Sequence, residues 1–140
     1  MLTALSPLTI SASLLRVMLA HVQAEYPLEA CGLLGGKNGR VTHLYAIENQ
    51  LHSPTRYEMD PWQQIQAMLH IEAQEDEMLA IYHSHPHSPA APSATDKALA
   101  SYPGVIYVII SLQARSVPQV RGFLIEDDNV HEIEILKREA

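Results

Sequence analysis

Met78-Leu79-Ala80-Ile81-Tyr82-His83-Ser84-His85-Pro86 is the stretch on which the reading of this chain turns. Its apolar first part, Met78 to Tyr82, reads as a buried strand that delivers the chain to two imidazoles one residue apart. In extended backbone, positions i and i+2 point the same way, so His83 and His85 can face one ion. Pro86 then turns the chain out of the strand direction. Pro92-Ser93-Ala94-Thr95-Asp96 follows, with Asp96 eleven residues after His85. A helix is predicted to begin at Ser93 and run toward Tyr102. That places Asp96 in its first turn, where a carboxylate suits the helix dipole. Two neutral imidazoles plus one carboxylate are the three-ligand set of a catalytic zinc, which keeps a fourth position for water.

Each piece also has a plainer structural explanation. A bare His-x-His is more often a pair of turn or surface histidines. Ser93-x-x-Asp96 resembles a capping box, although Glu or Gln is the usual reciprocal partner. The two readings are compatible, because Ser93 can cap through one lone pair and still line a site. His87, beyond Pro86 where strand alternation no longer holds, reads as a loop residue or a group supporting the ligands, with a ligand role the less favoured alternative. His21, His43, His52, His70 and His131 have no metal-like spacing and read as structural or exposed.

A metal-activated water needs a nearby carboxylate to take its proton and pass it to a leaving amine. Glu29 is the candidate. It sits between Pro27 and the apolar run Ala30-Cys31-Gly32-Leu33-Leu34, where an acid entering the core needs a reason. The alternative is a solvated residue just past a helix end. Cys31, among apolar neighbours, reads as an inert buried thiol.

Outward from this centre, Leu14, Leu15, Met18 and Val22 recur at helical spacing, capped by Thr9 or Ser11. That helix should end near Glu25, because Pro27 biases Tyr26 out of the helical region. Cys31 to Leu34 is a strand closed by a turn at Gly35-Gly36, with Val41 to Ile47 as its hairpin partner. A second helix starts at Asp60, with Pro61 at the first helical position. Trp62, Ile65, Met68, Leu69 and Ala73 form its predicted apolar face. Val105 to Leu112, Val120 to Ile125 and His131 to Leu136 read as strands, the last two around the turn Asp127-Asp128-Asn129. The alternation of Ile133 and Ile135 with Glu132 and Glu134 gives the last strand one wet face. The sum is an α/β chain of the α+β kind, a mixed sheet with about three helices packed on it.

The chain has 140 residues, which fits one domain spanning 1–140. Hydrophobic residues make up 47%, which is a globular composition. The net charge of -7, with no basic run beyond Lys137-Arg138, argues against a nucleic-acid partner. The single cysteine cannot form an internal disulfide, which points to a reducing compartment. The N-terminus lacks a basic leader, and the apolar stretch from Ile10 to Val22 is broken by Arg16 and His21 and is too short to span a bilayer. A cytoplasmic protein without membrane association is expected.

His83-Ser84-His85-Pro86, the seven residues Pro86 to Pro92, then Ser93 and, after two more, Asp96 reproduce without departure the motif of the JAMM (MPN-plus) metalloproteases. Tyr26-Pro27-Leu28-Glu29-Ala30-Cys31-Gly32-Leu33-Leu34-Gly35-Gly36 resembles the family's early glutamate segment. Arg56-Tyr57-Glu58-Met59-Asp60-Pro61 is similar to a segment of its short bacterial members. The resemblance runs from about Leu8 to Ile135. It implies a JAMM/MPN fold, which resembles the cytidine-deaminase-like fold. It also implies one zinc ion with a bound water, held by His83, His85 and Asp96. Glu29 would be the general base and acid, and Ser93 would stabilise the oxyanion. The implied reaction is hydrolysis after the C-terminal Gly-Gly of a ubiquitin-like protein. The short bacterial members point to a sulfur-carrier protein, because the two insertions that clamp ubiquitin in eukaryotic enzymes have no room here. The chain has no Pro-Cys-x-x-Cys, which argues against deaminase chemistry, and no His-Glu-x-x-His.

A glycine tail bound in extended form suits an exposed strand edge. Asn49 to Met59 is the stretch expected to line that groove, with Tyr57 as the substrate contact. One alternative is a nonenzymatic binding module for a ubiquitin-like tail, with zinc structural; the presence of Glu29 beside a complete ligand set argues against it. A relative of the bacterial DNA-repair-associated domains with a similar His-x-His-Pro motif is a second, opposed by the acidic charge.

Overall fold

The computed structural model describes residues 5–139. These form a mixed sheet and three helices in the order β1 (Leu8–Ser11), α1 (Ala12–Glu25), β2 (Cys31–Lys37), β3 (Arg40–Ile47), α2 (Pro61–Ala73), β4 (Glu77–His85), α3 (Ala94–Leu99), β5 (Ile106–Ser111), β6 (Gln119–Glu126), β7 (Asn129–Ile133) and β8 (Ile135–Arg138). The eight strands lie in the order β7-β6-β5-β4-β2-β3-β1-β8. β4 runs parallel to β5, and β1 runs parallel to both β3 and β8. The remaining pairs are antiparallel. The expected mixed α+β architecture is therefore present. No described helix is long and apolar enough to cross a membrane.

The central strands bury both faces, and strand alternation sorts their side chains into two cores. Ala80 and Tyr82 of β4 join Leu34, Val108, Ile110 and the α1 residues Met18 and Val22. Ile81 faces the other way, into a cluster with Leu33, Ile109, Phe123 and the α2 residues Ala67 and Ile71. His83 and His85 share the parity of Ile81, so the imidazoles emerge on the α2 side.

α1 ends at Glu25 as expected, with Tyr26 extended before Pro27. Its cap is Ser11, whose hydroxyl accepts from the Leu14 amide at 3.1 Å. Thr9 instead lies in β1, a strand too short to show in the sequence. β2 does not stop at Gly35-Gly36. It continues through a bulge there to Lys37, and the chain reverses at Asn38 and Gly39, both with positive φ. The glycines are needed for close approach, since a Cβ on Gly36 would collide with the Arg40 carbonyl and one on Gly32 with the Tyr82 ring.

α2 starts where expected, with Asp60 accepting from the Gln63 amide at 2.9 Å. Of its predicted apolar face only Met68 packs half-buried against the core. Trp62, Ile65 and Leu69 are 67%, 49% and 60% exposed. The helix docks through Ala67 and Ile71 instead, because a small residue lets it approach the sheet closely. α3 is shorter than predicted and stops at Leu99. The Ser101 and Tyr102 amides donate to the Tyr107 hydroxyl at 3.1 and 3.2 Å rather than to helix carbonyls. The expected last strand, His131 to Leu136, is two strands. β7 pairs with β6 and β8 with β1, so the sheet curls until its ends meet at Glu134, whose carbonyl accepts from Leu8 at 2.9 Å.

Candidate metal and active centre

β4 extends through His85, so both histidines stand on regular strand at its buried end. Ser84, between them, points to the opposite face. Its hydroxyl accepts from the Ala30 amide at 2.8 Å, while its own amide donates to the Ala30 carbonyl at 3.0 Å. These bonds continue the β2–β4 ladder past the Cys31–His83 pair, which sets Glu29 alongside His85 on the same face. Glu29 is 5% exposed, and its carboxylate forms no salt bridge or hydrogen bond with a described residue. It is not the solvated residue that its place after α1 allowed. Burial pushes its pKa up to about 8; His85 opposes that shift and Asp96 adds to it.

Asp96 sits in the first turn of α3, and the capping box is complete. The Asp96 amide donates to Ser93 Oγ at 3.0 Å, and the Ser93 amide donates to Asp96 Oδ2 at 2.9 Å. The same carboxylate also reaches the histidines. His83 Nε2 lies 3.2 Å from Oδ1 and His85 Nε2 lies 3.0 Å from Oδ2. The two Nε2 atoms are 3.2 Å apart. His85 Nδ1 lies 2.8 Å from the Pro89 carbonyl, which can only accept, so that nitrogen carries the proton and Nε2 offers a lone pair. His83 Nδ1 is buried without a partner among the described residues.

These atoms fit a zinc ion. Tetrahedral ligands at about 2.0–2.2 Å from zinc stand roughly 3.3 Å from one another, close to the separations found here. Two imidazole nitrogens and a carboxylate converge on one point in a buried setting, an arrangement that can hold a cation. Titration agrees. Burial acts to raise the Asp96 carboxyl, but hydrogen bonds from His83 and His85 outweigh it and hold the group well below the usual carboxylate range. Burial likewise opposes charge on His85, but Asp96 outweighs it and the pKa rises. His83 faces the same carboxylate yet is lowered, because its burial is more complete.

Tyr57 stacks on the His83 ring at 4.6 Å between centroids. It also lines a cavity of about 170 Å³ bounded by Met59, Ile81, Asp96, Leu99, Tyr102 and Tyr107. His87 is exposed and meets Tyr26 edge-on. Cys31 is fully buried, and burial, with Glu29 and Glu25, pushes its thiol up to about 12, so it is inert as expected.

Sequence reading missed Ser84 and Asn49. Asn49 Nδ2 donates to the Glu29 and Arg56 carbonyls, each at 3.0 Å, and Oδ1 accepts from the Leu51 and Glu58 amides, each at 3.1 Å. One buried amide thus shapes the 49–59 segment and ties it to Glu29. Asn49→Ala should lower stability by about 2–4 kcal/mol in urea unfolding, because it strands four backbone groups. The only sequence signal was an asparagine beside a turn-rich stretch.

Residues 11–123 match the family described as prokaryotic homologs of the JAB domain. The chain is 35% identical over 127 residues to the CysO-cysteine peptidase of Mycobacterium tuberculosis, covering 89% of this chain and 87% of that protein. It is 35% identical over 117 residues to the desampylase of Haloferax volcanii, covering 79% of this chain and 84% of that protein. The solution structure of a Desulfitobacterium hafniense protein superposes with a TM-score of 0.86 at 40% identity, covering 95% of this chain and 94% of that one. With its mixed sheet, its buried histidine pair and these relatives, the chain belongs to the prokaryotic JAB-domain family and is a hydrolase of the JAMM type.

Proposed function

We propose that the protein is a zinc metallopeptidase that hydrolyses the bond after the C-terminal Gly-Gly of a ubiquitin-like or sulfur-carrier protein. The observation that carries this reading is Glu29, a buried, unpaired carboxylate alongside His85. His83, His85 and Asp96 are the proposed ligands. Zinc at that point would supply a Lewis acid and a bound water acidic enough to react near neutral pH. Glu29 accepts the proton of the attacking water and returns it to the departing amine. Ser93 spends a lone pair on the Asp96 amide, so its hydroxyl proton remains to meet the negative charge that develops on the substrate carbonyl. No covalent intermediate is needed, which suits an inert Cys31.

The relatives named CysO-cysteine peptidase and desampylase support a conjugated carrier protein as substrate. The whole chain, 1–140, acts as one JAMM/MPN domain in the reducing cytoplasm. Tyr57 holds the extended tail where it passes His83. Tyr57→Ala is expected to raise KM about tenfold, a loss of about 1.4 kcal/mol of binding. Tyr57→Phe keeps the ring and stays within about twofold of the parent, because no described residue hydrogen-bonds the hydroxyl. An unchanged KM for Tyr57→Ala counts against the contact.

The test uses a sulfur-carrier protein extended past its Gly-Gly by a short peptide. Cleavage after the second glycine that is lost on chelation and restored by zinc supports the proposal. A fully metallated protein that binds the carrier but cleaves no extension leaves a binding module with a structural metal.

A further inference from the structure

We propose that Arg115 forms a carboxylate-binding subsite for the leaving side of the substrate, which is a single amino acid or short peptide ending in a free C-terminus. This rests on the peptidase reading above. Arg115 lies in the loop between β5 and β6, and its guanidinium carbon stands 3.9 Å from the centroid of the Tyr26 ring. Its Nε donates to Gln23 Oε1 at 3.2 Å, and Gln23 Nε2 donates back to the Arg115 carbonyl at 2.8 Å. Side chain and backbone are thus both tied to α1. The two terminal nitrogens pair with no described residue. Arg121 is the contrast, because its fork is closed on Glu132 at 3.0 and 2.8 Å. A planar fork held over an aromatic face and left open is preorganised for a bidentate carboxylate.

Its position matches the leaving side. The Tyr26 ring touches both Arg115 and His87, 5.4 Å from the latter between centroids. Tyr26 precedes Glu29 by three residues and His87 follows His85 by two, so chain reach keeps their backbones within roughly 10 Å of the Glu29–His85 pair, and the Arg115 loop leaves β5 where the Leu112 amide donates to the His85 carbonyl at 3.0 Å. The Tyr57 cavity flanks His83 and Asp96 instead. A tail laid along the Tyr57 side leaves the Arg115 side for the departing group. The chain carries a net charge of -7, which disfavours an incoming anion overall. An open guanidinium is what lets a free C-terminus settle there. The lysine side chain of an isopeptide conjugate brings no carboxylate to that position.

The experiment extends a Gly-Gly carrier by one to four residues, each length ending in either a free acid or an amide, and measures kcat/KM. At the best length the wild type is expected to favour the acid about tenfold. The ratio should fall to about one in Arg115→Gln, take an intermediate value in Arg115→Lys, and persist in Arg121→Gln. Equal values for acid and amide at every length in the wild type overturn the subsite. If the wild type cleaves neither form, the peptidase reading fails. The subsite is then decided by titrating acetylated dipeptide acid and amide against the Arg115 Nε–H signal in NMR. A shift with the acid alone supports it, and no shift with either overturns it.

Discussion

Glu29→Gln should lower kcat by about 10²–10⁴-fold, the usual contribution of a positioned general base, with zinc content unchanged at one equivalent. Glutamine keeps the volume and shape of the side chain but cannot take a proton from water. Because the Glu29 carboxylate has no described partner, no hydrogen bond is broken and the fold should persist. Stability supplies an independent check on the metal-free protein. A carboxyl whose folded pKa is raised to about 8 from 4.5 binds its proton more tightly folded than unfolded, so it destabilises the fold as pH rises through that window. Glu29→Gln should abolish this slope, seen as a flatter dependence of Tm on pH under chelation. Full turnover with Gln at position 29 would sink the assignment of the base.

Asp96→Ala should lose both metal and activity. Its carboxylate lies within 3.2 Å of each imidazole, so removing it opens the ligand set and leaves two facing nitrogens with nothing between them. Zinc measured by plasma mass spectrometry on dialysed protein is expected to fall from one equivalent to near zero. Activity should fall to background and the stabilisation by added zinc should vanish. Asp96 also caps α3, so Ser93→Ala is the control. That change loses about 1 kcal/mol of cap and about 10²-fold in kcat through the oxyanion, but keeps its zinc. A tightly bound zinc equivalent in Asp96→Ala would show that the ion sits elsewhere.

The legible parts of this protein were those with short-range causes. The α1 stop before Pro27, the Asp60–Pro61 start of α2 and the Ser93 cap are each settled within one helical turn. The apolar face of α2 was misread because Trp62, Ile65 and Leu69 satisfy helical spacing as well as Ala67 and Ile71 do. The choice between them was made by how closely the helix could approach the sheet. The break between β7 and β8 was invisible for a similar reason, since alternation runs unbroken through Glu134 while the pairing partner changes.

At the centre the division is sharper. The sequence by itself determined that His83 and His85 share a strand face and that Asp96 opens a helix, because both follow from backbone periodicity within fourteen residues. Only the tertiary structure decided that these atoms converge, that Glu29 lies alongside His85, and that Tyr57 stacks on His83. Those placements depend on the β2–β4 register and on the Asn49 hydrogen bonds. The Glu29–His85 and Tyr57–His83 placements join residues more than twenty positions apart through pairing and burial, and no local pattern encodes which distant strand will be the neighbour.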